Sequence, residues 1–204
     1  MPNDLERALK HGIPINGSFI DGFAEKTMSE LFLHPDLSTT TLLPWRPDHG
    51  KVIMMFCDIT YHDGTPFEAD TRKILKDAVA KAKEQGIRFQ FGSRLEFYLF
   101  KTDEDGNPTD IPYDQAGYMD IAPLDRGENV SREICLTLEK MGIEPINSHH
   151  EAGPGQNEID FKSSDPLKAA DNVSTFITVV KTIAARNGLY IARSEERRVG
   201  KECR

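Results

Sequence analysis

The sequence predicts an α+β protein of two domains, and three observations carry that reading. Short β-forming runs precede an amphipathic helical pattern in the first part of the chain. The segment from Arg88 to Phe100 alternates apolar and polar residues with period two. Two further helical patterns and a second alternating run follow it. A chain of 204 residues is long enough for one or two domains whose core needs no metal or disulfide as a staple.

In order along the chain, Asp4 to His11 form a short amphipathic helix closed by Gly12. Polar loops rich in Gly, Ser and Asp come next. Around Thr41 to Leu43, and again from Val52 to Ile59, apolar β-formers read as strands, and Asp63-Gly64 signals a turn. Asp70 is placed to cap the next helix and Gly86 to end it. Ile74, Leu75, Ala78, Val79 and Ala82 share one face of that helix, which packs on the strands to complete a domain over residues 1–87.

In the long alternating segment, Phe89, Phe91, Leu95, Phe97 and Leu99 fall on one face. Arg88, Gln90, Arg94, Glu96 and Tyr98 fall on the other, as in a strand with one apolar and one polar side. Asp105-Gly106 turns the chain into a loop with Tyr113, Tyr118 and Pro123. Glu128 to Met141 is a helix, with Val130, Ile134 and Leu138 at four-residue steps and Gly142 just beyond. Gln156 to Lys162 alternates again, with Asn157, Ile159 and Phe161 on one side and Gln156, Glu158 and Asp160 on the other. Asp165-Pro166 opens a long helix whose stripe is Val173, Phe176, Ile177, Val180, Ile183 and Ala184, and Asn187-Gly188 ends it. This second domain takes residues 88–193. Residues 194–204 are dominated by Glu, Arg and Lys, and predict a disordered or non-native tail.

The net charge of −8 disfavours nonspecific binding to nucleic acid or anionic lipid. Cys57, Cys135 and Cys203 are odd in number and lack CxxC spacing, against a disulfide framework or zinc knuckle. Met1-Pro2-Asn3-Asp4 does not read as a signal peptide, and no apolar run approaches the roughly 18 residues of a membrane helix. The expected location is the cytoplasm.

Two polar features stand out. Glu96 faces the polar side of its strand. His149-His150-Glu151 is followed by Gly153-Pro154-Gly155 and then Gln156-Asn157-Glu158, and glycines this dense let the backbone turn sharply. If the two alternating strands are neighbours, Glu96 and Glu158 converge, with Glu151 nearby. Three converging carboxylates repel one another unless they share a hard divalent cation, Mg²⁺ or Mn²⁺. Taken singly, a strand glutamate is most often solvated and a His-His pair most often surface or supporting; Gly-x-Gly alone is weak evidence for a phosphate site.

Gly92-Ser93-Arg94-Leu95-Glu96-Phe97 resembles the G-x-E-x-E-F strand of the prokaryotic-type glutamine synthetases. His149-His150-Glu151-Ala152-Gly153-Pro154-Gly155-Gln156-Asn157-Glu158 resembles their H-H-E-x-x-x-G-Q-x-E motif. Gly17 to Phe23, Leu33-His34-Pro35-Asp36, Phe56-Cys57-Asp58, Gly64-Thr65-Pro66 and Asp125 to Asn129 also fit, in family order, from about Pro14 to Tyr190. The resemblance implies a β-grasp-like N-terminal domain followed by the start of a catalytic domain on an antiparallel sheet. It implies a homo-oligomeric ring with active sites between subunits, and glutamate, ammonium and ATP as substrates. Glutamine would form through γ-glutamyl phosphate. Glu96, Glu151 and Glu158 match the three glutamates holding one of the family's two metals. Glu30 matches an aspartate that helps bind ammonium in the adjacent subunit's site. The ATP region falls near Phe161 and Ser163.

Three departures accompany the resemblance. Arg94 takes the first acidic position of its strand, normally a ligand of the second metal, and a guanidinium accepts no metal. It is expected to abolish second-metal binding, and two arrangements are open to it, an ion pair with Glu96 or standing in for part of the missing cation's charge. Ser163 replaces an aromatic expected against the nucleotide base. The Asn-Gly-Ser-Gly loop, the histidine after it and the substrate-binding arginines have no counterpart in these 204 residues, so the reading is an incomplete, inactive fragment. Two alternatives stand beside it: a non-catalytic synthetase-like ring partner or regulator, and a γ-glutamyl-amine (polyamine) ligase of the same fold.

Overall fold

The structure, a computed structural model, describes residues 2–23, 30–46 and 50–193. The charged tail, with Cys203, lies outside the described residues. The chain divides into two compact units, Met1–Phe89 and Gln90–Arg204.

In the first unit, α1 (Pro2–His11) closes at Gly12, whose φ of 73° suits glycine. β1 (Ile13–Asn16) and β2 (Glu30–Pro35) follow, then the small ribbon β3 (Thr41–Leu42) and β4 (Ile53–Met54), then β5 (Cys57–Thr60). An antiparallel sheet runs β1-β2-β5, with Leu33 opposite both Ile13 and Ile59. β1 and β2 correct the expectation of polar loops there. Each is short and carries a proline, Pro14 on an edge strand and Pro35 at a strand end, where a missing N–H is tolerated but the strand signal is weak.

α2 (Thr71–Glu84) starts at Asp70, whose carboxylate accepts from Arg72 N (2.9 Å) and from Ile59 N of β5 (3.1 Å). Arg72 donates to Asp36 (2.8 Å) and Asp58 (3.0 Å), and Lys76 to Asp58 (2.7 Å). The apolar face expected to bury is covered only in part: no α2 residue is fully buried, and Ile74 is 54% exposed. The cap and these ion pairs fix the first two turns instead.

The second unit is a five-stranded antiparallel sheet with two helices on one side. Its strands are β6 (Arg94–Thr102), β7 (Pro108–Pro112), β8 (Pro145–His150), β9 (Gln156–Phe161) and β10 (Leu189–Arg193); its helices are α3 (Glu128–Lys140) and α4 (Pro166–Arg186). The order is β10-β6-β9-β8, with β7 also on β6. β6 begins six residues later than the alternation suggests. β9 ends at Phe161, whose N–H reaches Ser93 O (2.9 Å), so earlier residues have no continuous ladder. Phe91 pairs with Ser164 as an isolated bridge outside the ladder, and Phe89 and Phe91 are half exposed. β10 is short, with Leu189 and Ile191 buried and alternating with Tyr190 and Ala192, and it pairs Leu189–Arg193 along β6.

The core lies between the sheet and the two helices. Phe97, Leu99, Ile159 and Phe161 meet Ile134 and Leu138 of α3 and Phe176, Val179, Val180 and Ile183 of α4 there, all buried. The Phe176 ring stands edge-on to Phe97 and Phe161. Val173 and Ile177, expected in the stripe, are half-buried. Asn157 is the polar member of this face, and it is satisfied: its Oδ1 accepts from Ser131 Oγ (3.0 Å) and its Nδ2 donates to Gly155 O (3.2 Å). Among the described residues no helix is long and apolar enough to cross a membrane.

Candidate metal centre

The strand register lays two rows of side chains across the face of the sheet opposite the helices. In one row Glu96 of β6 lies opposite Glu158 of β9, which lies opposite His149 of β8. In the other, Arg94 lies opposite Asp160, which lies opposite Asn147. Directly opposed antiparallel residues have Cα atoms about 4.5–5.5 Å apart, so each row is a set of close neighbours. Glu151 follows His149 by two residues, and its Oε1 is 3.0 Å from His149 Nε2.

The turn between β8 and β9 makes this possible. Glu151 N donates to Gln156 O (2.7 Å) and Gln156 N to Gly153 O (2.9 Å). Gly155 has φ 66°, and a Cβ there would meet Leu99 O at 2.6 Å. Only glycine lets β9 start this close to β6, where Gly155 O accepts from Leu99 N at 2.8 Å.

Beneath the turn, His150 and Asp114 are both buried. His150 Nε2 is 3.0 Å from Asp114 Oδ1, and Nδ1 is 2.6 Å from the Glu151 carbonyl. Asp114 also accepts from Gly155 N (3.1 Å), Ala116 N (3.2 Å) and Arg126 N (3.1 Å). It therefore ties down both ends of the turn that carries Glu151. Asp114, Asp125 and His150 form a compact group, but these hydrogen bonds already engage Asp114 and His150 fully as braces. Burial pushes the Asp125 carboxyl above its usual range. Sequence reasoning misses Asp114 because a lone acid in an aperiodic loop carries no signal, and the pair His149-His150 does not by itself show which imidazole turns inward.

The expected ligands divide as follows. Glu151 and Glu158, joined by His149, offer ligand atoms all within 4.8 Å of one another. From the sequence, His149 reads only as surface or supporting. Glu96 sits beside them at the backbone but is exposed, and its Oε2 accepts from Gln156 Nε2 at 2.7 Å. One imidazole and two carboxylates, with a third carboxylate adjacent, suit a hard divalent cation of the Mg²⁺ or Mn²⁺ class.

Arg94 does not pair with Glu96, correcting that expectation. Its Nε–H and Nη2–H both donate to Glu158 Oε1, at 3.0 and 2.6 Å, and Nε lies 3.4 Å from Asp160 Oδ1. The buried Glu158 would be costly unpaired, whereas the exposed Glu96 can be hydrated. The hydrogen bond to Glu158 holds the Arg94 guanidinium even further above its ordinary value. Asp160 Oδ1 is buried without a hydrogen-bond partner.

Glu30 is exposed at the first residue of β2, opposite Asn16 in the first unit. Phe161 places its ring in the core against Phe176, so its side chain presents no surface to a nucleotide; Ser163 is exposed just after it.

Two family profiles match the chain: "Glutamine synthetase, beta-Grasp domain" over residues 1–62 and "Glutamine synthetase, catalytic domain" over residues 68–193. The chain is 50% identical over 186 residues to a glutamine synthetase of Clostridium saccharobutylicum, covering 91% of this chain and 42% of that one. It is 46% identical over 189 residues to one of Staphylococcus epidermidis, covering 92% and 42%. It thus spans about 42% of the length of these relatives. Among solved structures, "GmaS/ADP complex-Conformation 1" superposes with a TM-score of 0.78 at 26% identity, covering 93% of this chain and 43% of that one. A Plasmodium falciparum glutamine synthetase superposes at 0.79 with 24% identity, covering 91% and 42%, a likeness of fold.

Proposed function

Because the chain belongs to the glutamine synthetase family, with a β-grasp domain followed by catalytic-domain sequence, we propose that it forms part of an ATP-dependent ligase joining glutamate and ammonia into glutamine through γ-glutamyl phosphate. The row Glu96–Glu158–His149, with Glu151 beside it, is the observation that carries this reading.

On this reading Glu151 and Glu158 hold one divalent cation, Mg²⁺ or Mn²⁺, and Glu96 joins them by turning from Gln156. When bound, such a cation screens the negative charge of the phosphoryl and carboxylate groups brought together for transfer. The chain's own part is rigid placement. Strand pairing fixes Glu96 and Glu158, and the His150–Asp114 brace fixes the backbone of Glu151, so little ordering remains when ligands arrive. The surface at Ser163 is proposed to lie by the nucleotide, and the ADP complex of one structural relative, GmaS, supports nucleotide use. Glu30, an exposed carboxylate, is proposed to help hold ammonium in a neighbouring subunit's site of a homo-oligomeric ring.

Formation of γ-glutamyl hydroxamate from glutamate, ATP and hydroxylamine tests the reading. In the full-length protein carrying this segment, Glu158→Gln is expected to reduce the rate about 100-fold or more, and an unchanged rate would overturn the assignment. The 204-residue chain alone is expected to show no turnover. A non-catalytic synthetase-like ring partner is the second reading, favoured by the grip of Arg94 on Glu158. Co-purification with an active synthetase, without hydroxamate formation by the full-length protein, would select it.

A further inference from the structure

We propose that Arg94 is a tethered counter-cation of this centre, neutralising Glu158 in the metal-free protein and competing with the metal for that carboxylate. The inference rests on the metal-site reading above and adds a residue that sets the site's affinity. Its basis is an asymmetry of burial. The Arg94 side chain is 70% exposed, while the Glu158 side chain it grips is 3% exposed. The arginine reaches from solvent onto a buried acid, and both of its donors fall on one oxygen, Oε1. That acid belongs to the group with His149 and Glu151 whose ligand atoms converge within 4.8 Å.

A buried carboxylate beside a second carboxylate needs a positive partner. Here the chain supplies one on a flexible, largely solvated stem, which can leave without disturbing the core. Asp160 gives the guanidinium a second anchor, since its buried Oδ1 lies 3.4 Å from Arg94 Nε and has no hydrogen-bond partner. A cation entering between Glu151 and Glu158 either displaces Arg94 toward Asp160 or binds beside its positive charge. In the first case binding weakens by the cost of breaking the Arg94–Glu158 pair, in the second by repulsion between the two cations, and by reciprocity the metal loosens Arg94. The site is thereby tuned to respond to high divalent-cation concentrations rather than to remain saturated.

The test is Mn²⁺ titration of the 204-residue chain by calorimetry and by the electron paramagnetic resonance of free Mn²⁺, with melting curves alongside. Arg94→Gln is expected to bind Mn²⁺ about ten-fold more tightly or better, because a charge-assisted pair no longer opposes the metal, with Arg94→Lys in between. Metal-free Arg94→Gln is expected to melt below the parent chain, and Mn²⁺ to raise its melting temperature by more. Adding Glu158→Gln in either background is expected to abolish binding. Equal or weaker Mn²⁺ affinity in Arg94→Gln, with binding still lost on Glu158→Gln, would overturn the role of Arg94 and leave the metal site standing. Binding indifferent to Glu158→Gln in both backgrounds, or no binding at all, would remove the metal site and this proposal with it.

Discussion

Arg72 in the first unit and Arg94 in the second each lie against two carboxylates, yet the clusters around them are balanced differently. Asp36 and Asp58 are answered by Arg72 and Lys76, and the Arg72 side chain is only 9% exposed, locked across both acids. Arg94, with an exposed guanidinium, meets Glu158 and Asp160, and Glu96 lies opposite Glu158 across the strand pair. The balanced cluster fastens α2 to its sheet. The second holds a buried acid, Glu158, on rigid strands under an arginine that reaches it from solvent, an arrangement a cation can enter by displacing that arginine.

The strongest way to break the contrast is to neutralise its acidic pole. Glu151→Gln is expected to weaken Mn²⁺ binding about 100-fold, read by calorimetry, since even outer-shell partners of a metal cost roughly 10–100-fold when lost. Gly155→Ala attacks the scaffold instead. Its positive φ and the 2.6 Å approach to Leu99 O predict a loss of about 2 kcal/mol or more in urea unfolding, together with weaker Mn²⁺ binding as β9 shifts. Arg72→Ala sharpens the comparison. It is expected to lower stability by about 1–2 kcal/mol while leaving Mn²⁺ affinity unchanged, because its partners are part-exposed and belong to no metal-holding group among the described residues.

The smallest effect is in the acid limb of stability. The Ser38 hydroxyl, and after it Arg72, hold the Asp36 carboxyl below its ordinary value of 3.8. Its folded pKa is the lower one, so its contribution is present above the ordinary value and fades as pH falls through the folded value. Asp36→Asn is expected to flatten that limb of the melting-temperature profile; an unaltered profile would show that Asp36 adds nothing.

Much of the second unit is legible in the sequence because apolar side chains decide it. The steps Val130, Ile134, Leu138 and the alternation Leu95, Phe97, Leu99 each name a buried face, and the structure buries them apart from Leu95, which is half-buried. The same alternation over-reaches at Phe89 and Phe91, because pairing partners rather than pattern set where a strand begins. β1 and β2 are hidden by Pro14 and Pro35. At the site, the glutamates and the glycine turn are readable, but the partner of Arg94 is not. Along one strand its neighbour is Glu96, and only the register with β9 brings Glu158 and Asp160 within reach. Asp114 is invisible for a related reason, since its partners His150 and Gly155 lie far along the chain.

Anomalous diffraction from crystals soaked in Mn²⁺ tests the shared-cation claim most directly. The account predicts one peak within bonding distance, about 2.0–2.6 Å, of carboxylate oxygens from Glu151 and Glu158, with the Glu96 carboxylate turned toward it. A peak elsewhere, or none at metal concentrations that saturate binding in solution, would contradict it.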